Sequence, residues 1–162
     1  MSEKDKKSCI IFGIGNCGRQ DDGLGWAFLD TLNKSGFKKA TLEYRYQLQI
    51  EDAELICNYD AVLFVDASKN DLIKGYRYEV CKASNKHGFS THTLAPETIL
   101  YLARQLYGHT PKAHVLAIQG YEWELRNGMT INAAVNLNAA LVFFNKRYAD
   151  TLLKPEHDKS HN

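Results

Sequence analysis

Two short segments, Cys9–Ile14 and Ala61–Val65, are almost unbroken runs of apolar residues. A strand with water on one face alternates apolar and polar residues, whereas a strand covered on both faces does not. Both runs therefore belong at the centre of a parallel sheet with helices packed above and below it. Leu42, Tyr44, Tyr46 and Leu48 alternate with Thr41, Glu43, Arg45 and Gln47, the period-two pattern of a half-buried strand nearer an edge. Residues 76–80 alternate in the same way, and residues 113–118 form a further apolar strand candidate entered just after Pro111.

Helical patterns fill the gaps. Leu24, Ala27, Phe28, Thr31 and Leu32 share one helical face ahead of Gly36, with Asp21 and Asp22 at the start, where a helix favours negative charge. A second helix is expected over residues 51–57. A third begins at Pro96, shows Ile99, Leu102, Ala103 and Leu106 on one face and stops at Gly108; a fourth runs roughly from Asn132 to Leu152. The order predicts a three-layer α/β/α domain over residues 1–153, with a twisted, mostly parallel sheet of about five strands and helices on both faces. Residues 154–162 read as a polar, disordered tail whose His157 and His161 are solvated.

Composition narrows the partners. A chain of 162 residues, 44% apolar, with net charge +1, carries no basic stripe for nucleic acid or an anionic membrane. No apolar stretch approaches membrane-spanning length, and the amino terminus lacks a signal-peptide core. Cys9, Cys17, Cys57 and Cys81 form no C-x-x-C pair, which suits reduced thiols in a cytoplasm, three of them as small buried apolar residues.

In open α/β sheets the functional crevice lies beyond the carboxyl ends of the central strands, which singles out residues 15–22 and Asp66. Gly13-Ile14-Gly15-Asn16-Cys17-Gly18 formally matches the G-x-G-x-x-G of dinucleotide sites. Asp21 and Asp22 oppose that reading, because they stand at the helix start where a pyrophosphate needs bare amides. The acidic ribose-binding residue expected at the end of the second strand is also missing. Carboxylates crowded at one sheet edge repel each other unless they share a cation. The alternative is that Asp21 and Asp22 merely cap a helix and Asp66 a turn. Gly23 and Gly25 cost the first helical turn roughly 1 kcal/mol each against alanine, which hints that another chain must approach closely there. Among six histidines, only His92 lies in a polar loop, Ser90-Thr91-His92-Thr93, just ahead of a helix; His87, His109 and His114 read as structural or solvated.

Taken together, Gly13-x-Gly15-Asn16, Asp21-Asp22-Gly23-x-Gly25, Phe64-Val65-Asp66-Ala67 and Thr91-His92 resemble the motifs of the nickel-iron hydrogenase maturation endopeptidases, in the same order and spacing, from Ile10 to about Ala140. The resemblance implies that Asp22, Asp66 and His92 are the catalytic residues and metal ligands, with Asp21 a neighbour. It implies removal of a C-terminal peptide from a nickel-loaded hydrogenase large-subunit precursor. Nickel would come with the substrate, and no organic cofactor is expected. Carboxylate and imidazole suit nickel, and three protein ligands leave positions open for the substrate. Two other readings compete: a dinucleotide-binding oxidoreductase, and a non-catalytic relative that binds a metallated partner. The chain departs from the family pattern at Cys17-Gly18-Arg19-Gln20, where relatives usually carry a proline or apolar residue early in the loop. Tyr46-Gln47-Leu48-Gln49-Ile50-Glu51 and Gly120-Tyr121-Glu122-Trp123-Glu124 resemble a subgroup acting on soluble multi-subunit hydrogenases; Tyr121 and Trp123 either line a peptide cleft or cover the sheet.

Overall fold

The computed structural model describes residues 8–86 and 94–153, and the side chains of those up to residue 147. Its elements run β1 (Cys9–Ile14), α1 (Leu24–Lys34), β2 (Thr41–Arg45), α2 (Glu51–Ile56), β3 (Ala61–Ser68), β4 (Tyr76–Val80), α3 (Pro96–Tyr107), β5 (Lys112–Gln119) and α4 (Ile131–Leu153). The strands form one sheet in the order β2-β1-β3-β5-β4. All pairings are parallel except β4 against β5. The two apolar runs are indeed neighbours, in register from Cys9↔Ala61 to Gly13↔Val65, and β2 is an edge.

Burial on both faces explains why β1 is apolar throughout. Ile11, Leu63 and Val65 point to a core layer closed by Phe28, Leu29 and Leu32 of α1 and by Ala140 and Phe144 of α4. Ile10, Phe12, Val62 and Phe64 point the other way, against Ala53 and Ile56 of α2 and Ile99, Leu100 and Ala103 of α3. Phe12 and Phe64 stack across the two strands with ring centroids 5.5 Å apart. Leu106, expected on the buried face of α3, is instead exposed in its last turn.

Two boundaries differ from the sequence reading, each for a local reason. The alternating pattern through Leu48 suggests a longer second strand, but β2 ends at Arg45. There the Arg45 carbonyl accepts both the Gly15 N–H and the Trp26 Nε1–H, each at 2.9 Å, and its guanidinium turns to the buried Asp52 at 3.0 Å. Leu48 then drops into the α2/α3 core. Conversely, β3 continues past Val65 through Asp66 to Ser68, because β5 keeps pairing with it as far as Gln119. Asp66 therefore lies within a strand, opposite Ala117, and caps no turn.

The close approach hinted at by Gly25 is made by strands of the same molecule. A Cβ there would stand 2.6 Å from both the Ile14 and Val65 carbonyl oxygens, so α1 begins directly on top of the ends of β1 and β3. Because backbone cannot yield as a side-chain tip can, Gly25→Ala should lift the start of α1 off the sheet. The expected cost is about 3 kcal/mol, read by calorimetry as a melting temperature lower by roughly 10 °C. Among the described residues no helix is long and apolar enough to cross a membrane.

Candidate metal centre

The chain leaves β1 at Ile14 and turns at Gly15, whose φ of 137° suits glycine and whose missing Cβ makes room for the Asp22 carbonyl. A 3-10 turn, Gln20–Gly23, carries Asp21 and Asp22 and precedes α1, so neither aspartate caps that helix with its side chain. The two adjacent carboxylates face different surroundings, and that difference defines the site.

Asp21 is fully buried, with 0% exposure. Its Oδ2 accepts the backbone N–H of Tyr121 at 2.7 Å and of Glu122 at 3.1 Å, together with the Thr130 hydroxyl at 2.8 Å. Its Oδ1 accepts the Thr130 N–H at 2.8 Å. Burial by itself would raise its pKa, but these donors outweigh it and hold the carboxyl below the ordinary aspartate range. Thr130 also accepts the Ala133 N–H, so the hydroxyl that grips Asp21 caps the first turn of α4. Gln20 reinforces the seam: its N–H donates to the Arg126 carbonyl and its side-chain oxygen accepts the Glu124 N–H. Asp21 is thus a tether between the first loop and the 120–130 loop.

Asp22 and Asp66 have far fewer partners. Among the described residues, Asp22 accepts one hydrogen bond, from the Asn16 N–H at 2.9 Å, and Asp66 accepts one, from its neighbour Ala67 at 2.8 Å. Neither forms an ion pair among those residues. Burial raises both pKa values; the nearby Asp22 charge adds to the effect at Asp66, whose pKa reaches about 7. Two partly buried carboxylates, the charge of one disturbing the ionisation of the other and each with lone pairs unclaimed by protein donors, make a donor set suited to a divalent cation. Among the described residues no third histidine, cysteine or acid joins them. His92, the remaining expected ligand, lies outside the described residues.

Other residues fall into structural roles. Gly13 is needed because a Cβ would meet the Gly25 carbonyl at 2.5 Å, so the first two glycines of the G-x-G-x-x-G match serve the chain's own packing. With the two carboxylates in the turn that follows, nothing here favours a pyrophosphate. Cys9 and Cys81 are buried; burial, aided at Cys81 by Glu97 and Glu79, pushes both thiols up to about 12, which removes them as nucleophiles. Cys57 is half-buried and Cys17 exposed. His114 stacks on Tyr78 with centroids 4.7 Å apart, and His109 approaches the Tyr59 carbonyl at 3.1 Å. A recess of about 630 Å³ opens between the 120–130 loop and the start of α4. It includes Gln20 but neither Asp22 nor Asp66, so it is a groove beside the acid pair and not its mouth.

No protein-family model matches the sequence, and comparison with curated proteins finds no match. Solved structures do match. The hydrogenase maturating endopeptidase HybD from E. coli superposes with a TM-score of 0.69 at 16% identity, over 89% of this chain and 93% of that one. The [NiFe] hydrogenase maturation protease HycI from Thermococcus kodakarensis KOD1 gives 0.68 at 18% identity, over 87% and 92%. The chain has the hydrogenase maturation protease fold. A hydrogenase 2 maturation peptidase from Thaumarchaeota archaeon SCGC_AB-539-E09 matches similarly, with a TM-score of 0.65 at 14% identity, over 88% of this chain and 99% of that one. The shared fold spans nearly the whole molecule, while the low identities leave the chemistry to be argued from this chain's own side chains.

Sequence reasoning missed two groups at this edge. Lys69, the first residue after β3, acts electrostatically on Asp22 together with Arg19, yet nothing in its sequence surroundings marks it out. Thr130 carried a readable signal as a threonine immediately before a helix, but its grip on Asp21 spans 109 positions and leaves no local trace.

Proposed function

We propose that this protein is a hydrogenase maturation endopeptidase that removes a C-terminal peptide from a nickel-loaded large-subunit precursor. The observation that carries this reading is the contrast between the twin aspartates. Asp21 is saturated by protein donors, while Asp22 and Asp66 remain open at the carboxyl edge of the sheet, with burial and the Asp22 charge raising the Asp66 pKa. In this reading Asp22, Asp66 and His92 would hold the substrate's nickel, as the motif resemblance implies. A metal held there supplies polarisation of the scissile carbonyl or acidification of an attacking water. The protein's contribution is to fix two carboxylates in a partly dehydrated pocket, where their attraction for a cation exceeds that of solvated carboxylates. Four thiols and the nature of the substrate suggest the cytoplasm as its compartment.

The test is to mix purified protein with nickel-loaded and nickel-free large-subunit precursor and weigh the products by mass spectrometry. A shortened subunit is expected in the first mixture alone. An intact precursor in both would remove the reading, and a stable complex whose precursor never shortens would replace it with a binding role.

A further inference from the structure

Two cations stand close in sequence to the acid pair, Arg19 three residues before Asp22 and Lys69 three residues after Asp66. Arg45, Arg77 and Arg126 each engage an acid, whereas Arg19 and Lys69 form no ion pair among the described residues. They come from different strand ends, Arg19 from the loop after β1 and Lys69 from the first position after β3, and both are exposed. Yet they converge on one residue, Arg19 on its backbone and Lys69 on its ring. The Arg19 Nη1 reaches the Trp123 carbonyl at 3.5 Å, and the Lys69 Nζ stands 5.2 Å from the centroid of the Trp123 ring. That ring is firmly seated: a Cβ on Gly120 would lie 2.9 Å from its Cη2 and 2.6 Å from the Asp21 Cβ. The indole therefore rests on the end of β5, against the most tightly anchored residue of the site. Both positive charges also act to lower the Asp22 pKa.

A half-buried indole residue met by two exposed cations, neither of which forms an ion pair among the described residues, is suited to receive an anion attached to an apolar or planar body. Arginine and lysine supply charge-assisted donors, and the indole supplies the surface on which the rest of the group lies. We propose that Arg19, Lys69 and Trp123 form a subsite that binds a carboxylate of the substrate peptide beside the scissile bond. The location relative to the scissile bond rests on the endopeptidase reading; the recognition of a carboxylate does not. The carboxylate comes either from an acidic side chain within the peptide or from its free C-terminus, and the two are chemically equivalent to this pair of cations.

The experiment is a titration of the 15N-labelled protein followed through its two indole N–H signals, with that of Trp123 identified by its loss in Trp123→Phe. Three blocked alanine-rich tetrapeptides serve as probes: one with an internal glutamate and an amidated end, its glutamine counterpart, and the glutamine peptide with a free C-terminus. Saturable movement of the Trp123 signal by the glutamate peptide, the free-terminus peptide or both supports the proposal and tells which source is read, provided the neutral peptide does not move it. Arg19→Gln and Lys69→Gln should each weaken binding by about tenfold, as loss of one charge-assisted contact implies, and added salt should weaken it further. The Trp26 indole, bonded to the Arg45 carbonyl, should stay in place throughout and shows that the variants are folded. An equal shift by the neutral peptide, no saturable shift by any peptide, or wild-type titration of the double variant would overturn the subsite. Because nothing is cleaved in this assay, its failure is distinct from that of the endopeptidase reading, which the precursor assay tests.

Discussion

Asp66→Asn is expected to lose precursor cleavage by at least about a hundredfold while making the metal-free protein more stable at pH 8. Groups that merely orient a metal ligand cost about 10–100-fold when removed, and loss of a ligand costs no less. The stability gain follows from linkage. Burial, with the Asp22 charge, holds the folded-state pKa of Asp66 near 7, above the ordinary aspartate value. Between about pH 4 and 7 the folded chain therefore keeps a proton that the unfolded chain releases. Stability contributed by this group is intact below about pH 4, falls as pH rises through that window and stays low above it. The penalty is at most about 4 kcal/mol from the size of the shift. Asparagine has no charge to desolvate, and its carbonyl oxygen can still accept the Ala67 N–H. Calorimetry in chelator across pH 4–8 should show a downward slope in the wild type that Asp66→Asn flattens. A wild-type profile parallel to that of the variant would show that the carboxyl is not destabilised, and would weaken the argument that it awaits a cation.

Asp21→Ala should do the reverse, costing the fold about 4–5 kcal/mol and ranking among the largest single-residue effects in the molecule. It leaves three part-buried backbone N–H groups, those of Tyr121, Glu122 and Thr130, and the Thr130 hydroxyl without their acceptor. Each such orphan costs about 1–3 kcal/mol. The pH sense is also opposite. A carboxyl whose folded pKa lies below its unfolded value contributes stability above about pH 4, lost as pH falls through the lower folded value. The neighbouring substitution, Asp22→Ala, should leave the melting temperature unchanged or higher while removing cleavage. Chemical denaturation of the two variants side by side is the measurement. Equal destabilisation by both would contradict the division of labour between tether and ligand.

Much of the architecture was legible because it rests on periodicities that one sequence displays. The apolar runs at Ile10 and Val62 required two-faced burial, and Pro96 and Gly108 bracket α3 at its observed ends. The end of β2 was not legible. It depends on the Arg45 carbonyl meeting Trp26 and Gly15, and no pattern within residues 41–48 records those partners. At the site, position in the sheet singled out Asp21, Asp22 and Asp66 together, and only the motif resemblance, not any local pattern, set Asp21 apart. The separation comes from where the 120–130 loop lands, and that is decided by packing of α4 and β5. Lys69 lies beyond any local rule, since its importance comes from the Trp123 ring it meets across the fold.

The Asp21–Thr130 bond joins the first loop to the threshold of the last helix, 109 residues along the chain. Closing so long a loop carries an entropic cost that only later contacts repay. A nascent polypeptide emerging from the ribosome consequently has both acids early, but cannot fasten the turn that presents Asp22 until Thr130 has been synthesised.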